Sequence, residues 1–152
     1  MPKPVVLVDT MIVIEAVRTQ SWNAISGQRS VVTAEECRAE LSSGDPGIRG
    51  YILVTTGQIG RAAVEPVSAE LAARFRLEYP GSDSLDPGER DLLALALERR
   101  DGFELCCADK AGMRVAHEMG LLDKIISLEE LADSVDYSPI TDHNYPRDFS
   151  QS

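Results

Sequence analysis

Two short apolar runs in this chain each end in an aspartate: VVLV runs into Asp9, and LCCA runs into Asp109. Between them, further acids sit near the openings of two helical stretches, Glu35, Glu36 and Glu40 in AEECRAEL, and Glu89 and Asp91 in GERDLLALALE. A protein that gathers carboxylates offers hard oxygen donors, which Mg²⁺ and Mn²⁺ prefer. Each acid also has a plainer use. Asp9 and Asp109 can cap the helices that follow them, Glu36 and Glu89 can close capping boxes, and Asp91 can lie on a solvent face. For one acid taken alone the two uses balance. Together, two strands ending in Asp and helices that aim acids at the same sheet edge favour a cluster over capping alone, because open parallel sheets bind ligands beyond the carboxyl ends of their strands.

The elements that must hold these acids follow from the patterning. An unbroken apolar run such as Val5–Val8 reads as a strand covered on both faces, and Glu104–Ala108 reads the same way, so the two are expected to be neighbouring inner strands. Met11–Arg18 has the spacing of a helix packed on a sheet, with Glu15 outward. Ser21–Gln28 reads as a short helix or loop. Ser30–Val32 reads as a second short strand, with Thr33-x-x-Glu36 as the capping box of a helix in which Glu36 and Glu40 share a face. Ser43–Gly50 is a turn-rich break, and Tyr51–Ala63 is ambiguous between strand and loop. Ala63–Val67 suggests an edge strand because of Pro66. Ser68 opens a helix that stops at Pro80-Gly81. Asp86, Pro87 and Glu89 mark the clearest helix start, followed by a largely buried run. A helix from about Lys110 stops at Gly120. Lys124–Ser127 suggests a last strand and Leu128–Asp133 a last helical turn or two. Strand and helix alternate throughout, so the expected class is α/β, a three-layer sandwich around a central, mainly parallel sheet.

Composition narrows the function. The 152 residues suit one domain with a real core, and the apolar share of 43% and charged share of 26% are those of a globular protein. No run approaches a membrane span, and MPKPVVLVDT lacks the plan of a signal peptide, which points to the cytoplasm and no membrane partner. Three cysteines with Cys106 and Cys107 adjacent make no disulfide framework and no zinc motif. Twenty-five acids against fifteen bases give a net charge of −10, which opposes a high-affinity nucleic-acid scaffold but suits a cation-holding cluster. The arginines can still supply local phosphate contacts. His117 and His143 read as a helix-surface residue and a tail residue, outside any triad.

VVLVDT, an acid on the second helix ending in AEL, GERDLLALALE and LCCADKAGMRVAHEMGL, taken in series from about Val5 to Leu131, resemble the PIN-domain family of metal-dependent ribonucleases. The resemblance implies a PIN-like nuclease domain over residues 1–133, with a polar C-terminal tail over 134–152. It also implies carboxylates clustered at the strand ends around Mg²⁺ or Mn²⁺. Carried over by position, the first acid is Asp9, with Thr10 beside it. The second is Glu40, with Glu36 as the alternate. The third is Glu89 or Asp91, and the fourth is Asp109. Asp9, Glu40, Glu89 and Asp109 are thus the implied ligands, and with Asp91 the implied catalytic set. Two departures stand out: Met11 replaces the Asn that often follows Asp-Thr, and Lys110-Ala111 replaces a further acid, which weakens the case for a second metal.

The size is that of VapC-like toxins, so the resemblance implies an RNA substrate, a homodimer and an antitoxin partner whose Arg or Lys enters the acidic cleft. A haloacid-dehalogenase-type phosphatase is disfavoured by Met11, where that chemistry needs a second acid, and no phosphate-binding P-loop or dinucleotide fingerprint follows a strand. The serious alternative is a PIN-like module that keeps the fold without catalysis and serves binding or assembly.

Overall fold

The computed structural model describes residues 3–43, 54–99 and 102–135. Four strands, β1 (Val5–Val8), β2 (Val31–Ala34), β3 (Ala63–Glu65) and β4 (Phe103–Cys106), form one sheet in the order β3, β2, β1, β4, and every pairing is parallel. The helices are α1 (Thr10–Arg18), α2 (Trp22–Gln28), α3 (Glu35–Ser43), α4 (Thr56–Ile59), α5 (Ala69–Glu78), α6 (Pro87–Glu98), α7 (Lys110–Glu118) and α8 (Leu128–Asp133). They lie on both faces of the sheet, because β1 is apolar on both. Leu7 joins a core of Phe75, Leu92, Leu93, Leu105 and Val115. Val6 and Val8 point the other way, among Ile12, Trp22, Ile25 and Leu131. This is the α/β architecture that the unbroken apolar runs require.

β1 and β4 pair directly, Val5 with Phe103 through Val8 with Cys106, so Asp9 leaves the sheet level with the start of the segment that leads to Asp109. β1 is interior, as expected, whereas β4 ends the ladder of named strands. Its outer side is met by a single parallel bridge from Ile125 to Leu105. The expected strand over 124–127 is therefore reduced to that bridge, because a 3₁₀ turn at Leu122–Lys124 occupies the approach. β3 is the opposite edge, where Pro66 foretold it.

A second difference concerns Thr33. It does not cap a helix; it lies inside β2, 1% exposed, with its hydroxyl donating to the Val8 carbonyl at 2.8 Å. The Thr-x-x-Glu spacing was present, but pairing of β2 with strands on both sides outweighs one local cap. α3 consequently begins two residues later. The stretch after Tyr79, read as a loop, contains a 3₁₀ turn at Pro80–Ser84. Three helix starts and one stop match the sequence reading. Ser68 accepts the Leu71 N–H at the head of α5, Asp86 and Pro87 open α6, Trp22 begins a short helix, and α7 gives way at Gly120, whose φ of +78° suits glycine. Residues 44–53, most of the turn-rich break, lie outside the described residues, as do Tyr137, His143, Tyr145 and Phe149 of the tail. Ser134 and Val135, at the head of that tail, pack on the body: Val135 is buried and Ser134 Oγ accepts from Arg29. Among the described residues no helix is long and apolar enough to cross a membrane.

Candidate active site

In a parallel sheet every strand ends at the same edge, and the helices that follow begin there, so strand-end residues and helix caps converge on one crevice. Here that crevice is a cleft of about 230 Å³ lined by Asp9, Thr10, Met11, Glu40, Asp86, Glu89 and Asp109. Asp9 and Thr10 come from the end of β1, Asp109 from the segment after β4, Glu40 from the second turn of α3, and Asp86 and Glu89 from the first turn of α6.

Asp9 is the fixed point. Its Oδ1 accepts the Ile12 N–H at 2.8 Å, so it does cap α1, and its Oδ2 accepts the Ala108 N–H at 3.3 Å from across the sheet. Capping and lining the cleft are here the same act. Burial nevertheless lifts its carboxyl to about 6, against the pull of those two N–H groups and with help from the charges of Asp109 and Glu40. Thr10 holds the next acid: its Oγ1 donates to Glu40 Oε1 at 2.5 Å.

Glu89 is the most perturbed group. It is 6% exposed, and its Oε2 is buried without a hydrogen-bond donor. Burial first, then the charge of Asp9 and a carboxyl-to-carboxyl hydrogen bond with Asp109, push it up to about 9. Glu89 therefore carries a proton at neutral pH as long as only protein surrounds it. None of the ion pairs among the described residues supplies a cation to Asp9, Glu89 or Asp109. Asp109 itself is exposed and, though at the N-cap position of α7, makes no side-chain cap hydrogen bond.

Two glycines make room for this arrangement. A Cβ on Gly88 would stand 2.7 Å from Glu40 Oε1, and a Cβ on Gly112 would collide with the Glu89 carboxyl. Bare backbone at Gly112 is what lets α7 close over Glu89. Beneath the acids, Cys37 donates weakly to the Gly88 carbonyl at 3.3 Å, and burial pushes its thiol up. Cys106 and Cys107 are free, buried and likewise raised by burial, so they act as apolar filler.

Of the residues singled out in the sequence, Asp9, Glu40, Glu89 and Asp109 line one cleft; Glu36 and Asp91 do not. Those two face each other on the flank, where burial and the Glu36 charge raise the Asp91 carboxyl. Asp86 and Met11 are lining residues that sequence reasoning passed over. Asp86 was assigned only a capping role, although the position of that cap at the crevice edge was itself the signal.

Compared with known proteins, the chain matches no family model and no curated protein. The reading of the site therefore rests on its own geometry. Its donor set is all oxygen, carboxylates and one hydroxyl, which fits a hard divalent cation, and the donorless Glu89 Oε2 is an atom that a cation would satisfy. Among the described residues, however, no three His, Cys, Asp or Glu side chains are gathered closely enough to hold one ion as they stand.

Proposed function

We propose that this protein is a metal-dependent endoribonuclease of the PIN type, hydrolysing phosphodiester bonds of RNA and serving as the toxin of a toxin–antitoxin pair. The observation that carries the reading is the convergence of Asp9, Glu40, Glu89 and Asp109 at the carboxyl edge of a parallel sheet, with Glu89 buried and lacking a donor. Burial first, and like charge after it, raise Glu89 to about 9 and Asp9 to about 6, so holding these acids together as anions is costly unless a cation neutralises them. A divalent cation would take the place of the proton on Glu89.

Asp9, Glu40, Glu89 and Asp109 are the residues that would hold Mg²⁺ or Mn²⁺. When bound, such an ion lowers the pKa of a coordinated water and stabilises charge on the phosphate. The chain's own contribution is orientation. Two backbone N–H groups fix both oxygens of Asp9, and the Thr10 hydroxyl fixes Glu40. Glu89 holds a proton that must leave before it can act as an anion beside Asp109. By the same resemblance, the protein pairs as a homodimer in the cytoplasm, and an antitoxin blocks the cleft by bringing an Arg or Lys to the carboxylates.

The second reading is a PIN-like module that binds or assembles without catalysis, and the absence of a preformed three-ligand set among the described residues favours it. One experiment separates the two: cleavage of a labelled single-stranded RNA with Mn²⁺, with EDTA, and with the Asp9→Asn protein, alongside calorimetry of Mn²⁺ binding. The ribonuclease reading requires cleavage only by the wild type with Mn²⁺. No cleavage of any RNA together with no Mn²⁺ uptake gives the case to the non-catalytic module.

A further inference from the structure

A cleft lined by five carboxylates in a chain of net charge −10 repels the backbone of any nucleic acid, so a ribonuclease reading needs a source of positive charge beside the site. Most described cations are already engaged. Arg18, Arg29, Arg38, Arg74, Arg76 and Arg99 pair with carboxylates. Lys3 donates to the Ser134 carbonyl, Arg61 to Ser26 and the Asn23 carbonyl, and Lys124 lies over the Phe103 ring. The exceptions are Arg90, half-buried on α6 with its charge acting on Asp91, and one exposed face of α7. Lys110 and Arg114 are both exposed, and neither forms an ion pair among the described residues.

Their spacing makes them a track. Lys110, Arg114 and His117, at i, i+4 and i+7, form one stripe on the helix, rising about 6 Å from the first to the second and about 10 Å to the third. All three are exposed, while Gly112, Val115 and Ala116 turn inward, Gly112 against Glu89. Glu118, the acid that α7 itself carries, has its Oε1 beside Gly81 on the neighbouring 3₁₀ turn and forms no ion pair with Arg114 among the described residues. The stripe begins at the residue after Asp109, and so starts at the lip of the cleft and leads away from it.

We infer that this face of α7 carries the phosphate backbone of single-stranded RNA into the acid cleft. Lys110 and Arg114 each meet a phosphate, and His117 offers a ring N–H further out. The inference rests on the ribonuclease reading but concerns binding, which can be measured without cleavage. Phosphate contacts of this kind are independent of base sequence, so they position the strand rather than select it.

The test is binding of a fluorescent single-stranded RNA to the full chain in EDTA across a range of salt, followed by steady-state cleavage with Mn²⁺. The double variant Lys110→Gln/Arg114→Gln is compared with Lys3→Gln/Arg18→Gln, which removes the same charge at the opposite edge of the sheet. The α7 variant is expected to bind about tenfold more weakly at low salt and to flatten the slope of log affinity against log salt by about 1.4, two contacts of roughly 0.7 each for a single strand. In cleavage its KM should rise while kcat and Mn²⁺ affinity by calorimetry hold. Equal loss in both double variants would mean a diffuse charge effect, and an unchanged slope would mean RNA does not use this face; either overturns the inference while leaving the nuclease reading intact. Wild-type protein that binds RNA with the predicted slope but never cleaves it removes that reading and keeps the track.

Discussion

Arg29 and Glu89 are buried to the same depth, each 6% exposed, at opposite ends of one sheet. Arg29 sits at the edge where the strands begin. It pairs with Glu104 at 2.5 Å and donates to Ser134 Oγ at 2.8 Å and to the Pro4 carbonyl at 3.1 Å, so its contacts tie the end of α2 to β4, to the end of α8 and to the residue before β1. Only its Nε lacks a partner. Glu89 sits where the strands end and meets Asp9, Asp109 and Asp86, and the donor it needs is absent. A buried charge with its counter-charge and hydrogen bonds is structural; a buried acid among acids is held there against its own electrostatics, and a site that awaits a cation is the physical situation that rewards it.

The sharpest way to break the comparison is at Asp9. Asp9→Asn keeps the shape and the acceptor for the Ile12 N–H, and removes one charge. RNA cleavage with Mn²⁺ should fall by roughly a hundredfold or more, the scale of several kcal/mol of charge stabilisation, while the thermal transition persists. Survival of full activity would place the chemistry elsewhere. Arg29→Ala should do the reverse. It strands Glu104 and opens the junction with Ser134, and because Glu104 is 31% exposed on its side chain the loss is discounted to about 2 kcal/mol by urea unfolding, with kcat for cleavage little changed.

A smaller effect is expected at Thr10. Thr10→Val deletes the hydroxyl that holds Glu40 Oε1, and activity should drop about tenfold at low Mn²⁺ and recover partly at high Mn²⁺. Unaltered Mn²⁺ dependence would show that Glu40 needs no such support.

The smallest effect is thermodynamic and concerns pH. Glu89 is raised from 4.5 to about 9 and Asp9 from 3.8 to about 6 in the fold, so the folded state holds protons that the unfolded chain has released. Stability of the ion-free protein is then fullest below about pH 4 on this account and declines as pH rises, across 4 to 6 through Asp9 and across 4.5 to 9 through Glu89. Calorimetry in EDTA should show Tm falling by a few degrees between pH 6 and pH 9. Glu89→Gln should flatten that decline, and Mn²⁺ should reverse it in the wild type at pH 8. A Tm that climbs over the same range in EDTA would refute the buried-proton account.

Much of this was legible before any fold was known. Two apolar runs ending in Asp fixed two parallel strands, and parallel strands end on one side, so Asp9 and Asp109 had to be neighbours of a common crevice. Helix starts marked by Ser68 and by Asp86-Pro87 were readable for the same reason: the signal lies within four residues. The choice between Glu36 and Glu40, and between Glu89 and Asp91, was not readable. Successive helical residues differ by about 100° in direction, and which of two acids enters a cleft depends on how the helix is rotated against its neighbours. Packing of Leu41 and Cys37 set that rotation for α3, and the inward run Leu92–Ala96 set it for α6. Thr33 shows the same limit from the other side. Its capping signal was local and correct in spacing, and it lost to strand pairings with segments 25 and 31 residues away, Val8 through the hydroxyl and Val64 through the ladder. Local chemistry names the acids, and only the packing of distant segments decides which of them share a cleft.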